Sequence, residues 1–316
     1  MTMNIIDELF YSEQRKKLDS ELREIIVNYT DSLSLRENLL YHFGFENPNI
    51  KPSLAHSKRL RAYLCFRFSE HLNIPLEKII PLAATIEMFH NSTLIIDDIQ
   101  DNDTIRSNRL SLWKKTNVSQ AINAAFFLSN LSQAYFHQKR AEYNYYNYSF
   151  EISSMINKIV SGQQLDINSS EIANRAIMQY EKIVEGKTGV LISLSCKMGY
   201  MPFDFIQEKS NLIDDFSNLF SILHQIKDDI DDVKQFLNKN KSLDFSNVIF
   251  YFGSSKYELD RNNLSRDVLD NLKNYSSNIT EKLEKIIDVM LCNNMIAKDL
   301  ADFINALVYI DLTKTY

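Results

Sequence analysis

Residues 94–103 read "LIIDDIQDND", which sets Asp97, Asp98, Asp101 and Asp103 at the end of a run holding Leu94, Ile95 and Ile96. Taking an unpaired carboxylate out of water costs on the order of several kcal/mol even after relaxation. Acids placed against an oily run therefore need a counter-ion. The run extends back through "IPLEKIIPLAATIEMFHNST" (74–93), where Ile79, Leu82, Ile86 and Phe89 recur at helical spacing. On that helix Asp97 and Asp101 lie one turn apart on one face, with Asp98 about 100° round.

The same arrangement returns in "HQIKDDIDDV" (224–233), where Asp228 and Asp232 are one turn apart with Asp229 and Asp231 flanking them. It too is entered from an apolar helical run, marked by Phe216, Leu219, Phe220 and Leu223. One such cluster reads as a helix leaving the core for solvent. Two ask for another cause. Carboxylate oxygens are the ligands that hard divalent cations prefer, and Mg²⁺ is typically held by a few carboxylates together with substrate phosphates. Two facing clusters would hold several Mg²⁺ around a diphosphate.

The rest of the chain frames this reading. Its 316 residues are 45% apolar, enough for a substantial core, and the formal charge of −6 comes without a basic block, so no nucleic-acid partner is expected. Only six glycines and five prolines interrupt it, with no proline after Pro202, so long helices are predicted. "NVIFYF" (247–252) is the one short strand candidate and fits a buried helix equally. No fixed-period repeat or low-complexity linker divides the chain, which predicts a single all-α domain over 1–316. The stretch from Glu258 onward, "ELDRNNLSRDVLDNLKNYSSNITEKLEKIIDVML" and beyond, reads as amphipathic helices with a packing role. No uninterrupted apolar stretch reaches membrane-spanning length, and the start lacks the pattern of a secretory signal. Cys65, Cys196 and Cys292 are few, odd in number and far apart, so a cytoplasmic setting is expected.

The two DDxxD segments resemble the first and second aspartate-rich motifs of the trans-type isoprenyl diphosphate synthases, the polyprenyl synthetase family. The neighbouring segments agree in order over roughly residues 40–250: "SKRLRAYL" (57–64), "EMFHNSTLIIDDIQDND" (87–103), "LWKKTNVSQAINAA" (112–125), "GQQLDI" (162–167) and "YEKIVEGKTGVLI" (180–192). The resemblance implies a helical bundle of the isoprenoid synthase type around a deep central cavity, usually dimeric. It implies ionisation of an allylic diphosphate, attack on the cation by isopentenyl diphosphate and loss of a proton. Asp97, Asp101 and Asp228 would be direct Mg²⁺ ligands, with Asp98, Asp229 and Asp232 binding or orienting metal-bound water. Arg106 and Lys187 match contacts to the allylic diphosphate, and Thr188 and Gln225 line the same site. Lys58, Arg61 and His90 match the residues that hold isopentenyl diphosphate. Gln163 and Asp166 serve equally well as partners for buried polar groups.

Several positions depart from the family. Ser107 stands where a second arginine usually follows Arg106, the glycine before the Lys58 segment is absent, and His224 replaces a usual phenylalanine. The allylic site thus looks complete and the isopentenyl site thinned, with Arg109 the nearest substitute charge. Along the helix above Asp97, Ser92 is small where short-chain synthases often carry an aromatic, and the next bulky residue is Phe89, about 12 Å from Asp97. A product of twenty carbons or somewhat more is expected, unless Phe126, Phe127 or a partner subunit closes the tunnel. Two alternatives stay open: a terpene synthase or a transferase to another acceptor, and a non-catalytic synthase subunit, which would have no need of both motifs.

Overall fold

The computed structural model describes residues 13–46, 59–171, 175–239, 246–253 and 266–309, and Lys58 lies outside them. The chain groups into two compact units, residues 1–149 with 195–205, and residues 150–194 with 206–316.

In the first unit the described chain forms α1 (Glu13–Tyr29), α2 (Leu33–Phe43), α3 (Leu60–Ser69), α4 (Leu76–Gln100), the two-residue strands β1 (Ile105–Arg106) and β2 (Arg109–Leu110), α5 (Leu112–Lys115) and α6 (Val118–Tyr143). Every residue of α4 from Ile79 to Phe89 is buried, as befits a helix that is apolar all round. Helices α1, α3 and α6 pack against it. By length and composition α4 would cross a bilayer, yet 78% of its most apolar window is buried within the protein, which makes it a core helix.

Charge is also used in this core. Glu87, fully buried on α4, accepts from Arg59 Nη1 at 3.4 Å and from the Ala62 N–H at 3.1 Å. Arg59 Nε reaches Asp19 on α1 at 3.2 Å, and Arg15 meets the other Asp19 oxygen at 2.7 Å. The Arg59 guanidinium also lies over the rings of Phe43 and Phe45. Removing one member of such a buried set would strand the others, at roughly 3–5 kcal/mol. The network fixes the start of α3, two residues before Arg61.

The one departure from an all-helical chain among the described residues is the β1–β2 hairpin, with Arg106 opposite Arg109. Its linking residues, Ser107 and Asn108, have φ of 51° and 62°. Two successive left-handed residues make the turn whose twist suits a two-residue hairpin. Ser107 therefore occupies a backbone position set by the turn.

The second unit contains α7 (Ser149–Ile167), α8 (Ile177–Val184), a π-helical turn (Glu185–Gly189), α9 (Val190–Tyr200), α10 (Gln207–Lys239), a 3₁₀ turn (Val248–Tyr251), α11 (Arg266–Cys292) and α12 (Lys298–Val308); α9 belongs to the first unit from Ser195 onward. Phe216, Phe220, Leu223, Ile226, Ile230 and Val233 form the buried stripe of α10, while Leu219 is half-buried. Helices α11 and α12 pack on α10. Leu269, Leu272, Ile279, Leu283, Ile287 and Met290 supply the apolar face of α11, as its amphipathic pattern predicts. The "NVIFYF" segment is helical: all four residues of its 3₁₀ turn are buried, and Asn247 caps it by accepting from the Ile249 N–H at 3.2 Å.

Candidate active site

Helix α4 carries Asp97 and Asp98 in its last turn and ends at Asp101, because Asn102 turns left-handed (φ 56°) and the Asp103 N–H returns to the Asp98 carbonyl at 2.9 Å. Asp97 is half-buried and Asp101 exposed, whereas Asp98 is 1% exposed. Arg106, delivered by β1, sends both Nε (2.7 Å) and Nη2 (2.6 Å) to the same oxygen, Asp98 Oδ1. Asp98 Oδ2 is buried with no hydrogen-bond partner. Burial raises the Asp98 carboxyl above its usual range, and Arg106 opposes the rise. An orphaned carboxylate oxygen beside two further aspartates fits a divalent cation. Among the described residues no three acidic, histidine or cysteine side chains form a ready-made metal cage. Such a donor set suits Mg²⁺ shared with substrate phosphates, because that ion keeps few protein ligands.

The structure brings His90 and Arg61 together beside this segment. Burial, with the charges of Arg61 and Arg106, holds the His90 imidazole well below its usual range. His42 on α2 joins them, its Nε2 buried without a partner. Burial first, then Arg106 and Arg59, push it down to about 3. Arg109, the substitute charge considered above, stacks on Tyr41 and donates to Glu46 at 2.6 Å. Ser92 and Phe89 are both buried on α4, with the serine hydroxyl turned onto the Phe89 carbonyl at 2.6 Å. Phe126 is 73% exposed, so within one chain it closes no tunnel.

The second segment lies within α10, and its carboxylates are deployed differently. Asp228 is largely exposed and meets His224 Nδ1 at 3.2 Å, one turn back. Asp232 is half-buried. Asp229 is buried and accepts three hydrogen bonds, from Gln225 Nε2 to Oδ1 (2.8 Å), and from the Tyr180 hydroxyl (3.1 Å) and the Val248 N–H (2.8 Å) to Oδ2. The Asn247 amide donates to the Asp229 carbonyl at 2.9 Å. Desolvation raises the Asp229 carboxyl to about 7 despite these donors. Both Asp229 oxygens thus accept from protein donors, which ties α8, α10 and the 3₁₀ turn together. The Gln225 amide is likewise directed at Asp229.

Lys187 and Thr188 sit on the π-helical turn, where the Val190 N–H reaches back five residues to the Glu185 carbonyl. Such turns are frequent at functional sites. Lys187 is ion-paired with Asp166 of α7. The pairing depends on a close approach: a Cβ on Gly162 would stand 2.8 Å from Gly186 Cα and 3.0 Å from the Lys187 nitrogen. Sequence reasoning missed Tyr180, Asn247 and the partnership of His224 with Asp228. Only the last leaves a local signal, the i,i+4 spacing.

The helical fold, an acidic segment closing a core helix and a second within another long helix define a protein of the isoprenoid synthase class. The sequence profile described as "Polyprenyl synthetase" matches residues 47–289, and the chain belongs to that family. It is 29% identical to a geranylgeranyl diphosphate synthase of Methanosarcina mazei over 74% of its length and 68% of that protein's. With a short chain isoprenyl diphosphate synthase of Methanocaldococcus jannaschii it shares 25% identity over 71% of this chain and 64% of the relative, just under two thirds. With a farnesyl diphosphate synthase of Buchnera aphidicola it shares 26% over 77% and 81%. Among solved structures, a geranylgeranyl pyrophosphate synthetase from Geoglobus acetivorans superposes with a TM-score of 0.71 at 20% identity, covering 95% of this chain and 100% of that one, which speaks to the fold.

Proposed function

We propose that the chain, acting as one catalytic domain over residues 1–316, condenses an allylic diphosphate with isopentenyl diphosphate to a longer linear all-trans isoprenyl diphosphate. The observation that carries this reading is the buried, half-partnered Asp98 held by Arg106 between Asp97 and Asp101. Divalent metal, with Mg²⁺ proposed, would supply positive charge to the leaving diphosphate as its oxygens gain charge. Asp97, Asp98, Asp101, Asp228 and Asp232 are the carboxylates proposed to hold it, directly or through metal-bound water. Arg106 and Lys187 would bind the allylic diphosphate, Arg by its planar fork and Lys as a point charge. Arg61 and His90, with Lys58, would hold isopentenyl diphosphate. His90 in its neutral form donates one hydrogen bond and leaves the charge to the arginines.

A product of twenty carbons or somewhat more is supported by the small, buried Ser92 between Phe89 and Asp97. Homodimerisation, which rests on the resemblance, and a cytoplasmic setting, which rests on the few and scattered cysteines, belong to the same proposal. One observation favours a second reading, in which the allylic diphosphate ionises without ordinary elongation: Ser107 is spent on the hairpin turn and Arg109 is engaged by Glu46 and Tyr41.

One assay separates them. Purified protein with Mg²⁺ is incubated with dimethylallyl, geranyl or farnesyl diphosphate, with and without isopentenyl diphosphate, and the products are analysed by chain length. Longer diphosphates formed only with isopentenyl diphosphate are the expected result. Hydrocarbon or alcohol from the allylic substrate alone would shift the assignment to the second reading, and a fifteen-carbon end product would remove the length proposal.

A further inference from the structure

Phe216, Phe220, His224 and Asp228 follow one another at i,i+4 along α10, so their side chains are neighbours on one face of the helix. The Phe216 and Phe220 rings are buried and nearly parallel, with centroids 5.7 Å apart and 17° between their planes. The His224 ring continues the column, 5.9 Å from that of Phe220 and tilted by 46°. Its Nδ1 lies 3.2 Å from Oδ2 of Asp228, whose side chain is largely exposed. The column therefore runs from the core of the second unit to the first acid of the second segment. A phenyl ring, usual at position 224 in the family, would pack on Phe220 as well. Only the imidazole sets a nitrogen against the carboxylate, and because an ionised carboxylate only accepts, the contact places a proton on Nδ1.

We propose that His224 is a positioning residue, its ring seated on Phe220 and its Nδ1 holding the Asp228 carboxylate in the orientation in which it takes a divalent cation. This rests on the reading of Asp228 as a metal-holding carboxylate. An exposed aspartate loses side-chain freedom when a cation orders it. Restraining one of its oxygens beforehand reduces what remains to be ordered, which is how a polar partner behind a ligating carboxylate raises metal affinity. The phenylalanines below the imidazole give that restraint a fixed base in the core.

His224→Phe keeps a ring against Phe220 and removes the nitrogen, so its Tm without Mg²⁺ is expected at or above that of wild type. In calorimetric titration of Mg²⁺ into the protein with inorganic pyrophosphate, apparent Mg²⁺ affinity should fall about 10-fold, the lower end of the scale for losing the partner of a metal ligand. His224→Asn sets an amide N–H as many bonds from the backbone as Nδ1. It should recover most of the Mg²⁺ affinity at a lower Tm, because the ring is gone. His224→Leu gives the same reading as the phenylalanine variant should that one fail to fold. Wild-type Mg²⁺ affinity in the folded phenylalanine or leucine variant would overturn the proposal, as would an asparagine variant that binds Mg²⁺ no better than they do. Absence of turnover in the wild-type protein would instead overturn the proposed reaction, and the Mg²⁺ titration would still decide the role of His224. Failure of wild type to bind Mg²⁺ in that titration would overturn the metal reading and the role of His224 together.

Discussion

The two acidic segments bury the same member of the motif and hold it by opposite means. In the first, Asp98 meets one guanidinium, with both contacts on a single oxygen and the other oxygen buried and unpartnered. In the second, Asp229 meets three neutral donors that use both oxygens. Charge answers charge in the first, leaving a carboxylate that can still take a cation. Hydrogen bonding answers charge in the second, and the result is a clasp between elements of the fold. Identical DDxxD spelling therefore gives one buried carboxylate with an unpartnered oxygen and one with both oxygens engaged, and the difference lies in distant residues: Arg106 on a hairpin, Tyr180 on α8 and Val248 in a 3₁₀ turn.

Arg106→Gln attacks the charged side of the comparison and has the largest expected effect. It leaves Asp98 buried without its counter-charge and removes the donor proposed for the leaving diphosphate. Turnover should fall by about 10²- to 10³-fold, the scale for losing one stabilising donor, and the Tm should drop. Adding Asp98→Asn in the same chain should recover Tm, since the stranded charge is gone, without recovering turnover. A double variant with wild-type turnover would show that the pair is structural only.

Asp229→Asn probes the neutral side. One face of the new side chain presents N–H groups where Gln225, or Tyr180 and Val248, already donate, so stability should fall by about 1–3 kcal/mol. Because no metal is assigned to Asp229, the Mg²⁺ concentration for half-maximal activity should stay at the wild-type value, whereas Asp98→Asn should raise it. Denaturant unfolding and Mg²⁺ titration of activity check the two halves. Equal displacement of the Mg²⁺ midpoint in both variants would erase the distinction drawn between the segments.

Much of this molecule is written in local pattern. The helical spacing of Ile79, Leu82, Ile86 and Phe89 announces α4, and the buried stripe of α10 follows from Phe216, Phe220 and Leu223. The pairing of acids at i,i+4 announces both segments. What stays hidden depends on contacts between residues far apart in the chain. Nothing around Tyr180 marks it as the partner of an aspartate 49 positions later. Arg59 sits between Lys58 and Arg61 in a basic segment, yet the fold buries it against Glu87 and Asp19. Ser107 reads as a lost arginine in the sequence and as a left-handed turn residue in the hairpin. Even Asp229, which spelling places with the metal ligands, needed the 3₁₀ turn at Val248 to reveal its partners.

The reliance of the first segment on arginine has a further consequence at His42, which shares its surroundings with Arg106, Arg59, Arg109 and His90. Burial and those charges lower its folded pKa to about 3 from an ordinary 6.5. Below pH 6.5 the unfolded chain takes up a proton there that the folded chain refuses, so the stability this group contributes is present above pH 6.5 and is lost progressively as pH falls towards 3. Between pH 7 and pH 6 the loss amounts to about 0.7 kcal/mol, the smallest effect considered. His42→Gln removes the titrating group while keeping a polar side chain. Its stability, followed by denaturant unfolding at several pH values, should decline less steeply than that of wild type over the same interval. Parallel pH profiles would mean that His42 accepts a proton in the folded state, and that the arginines around the first segment do not reach it.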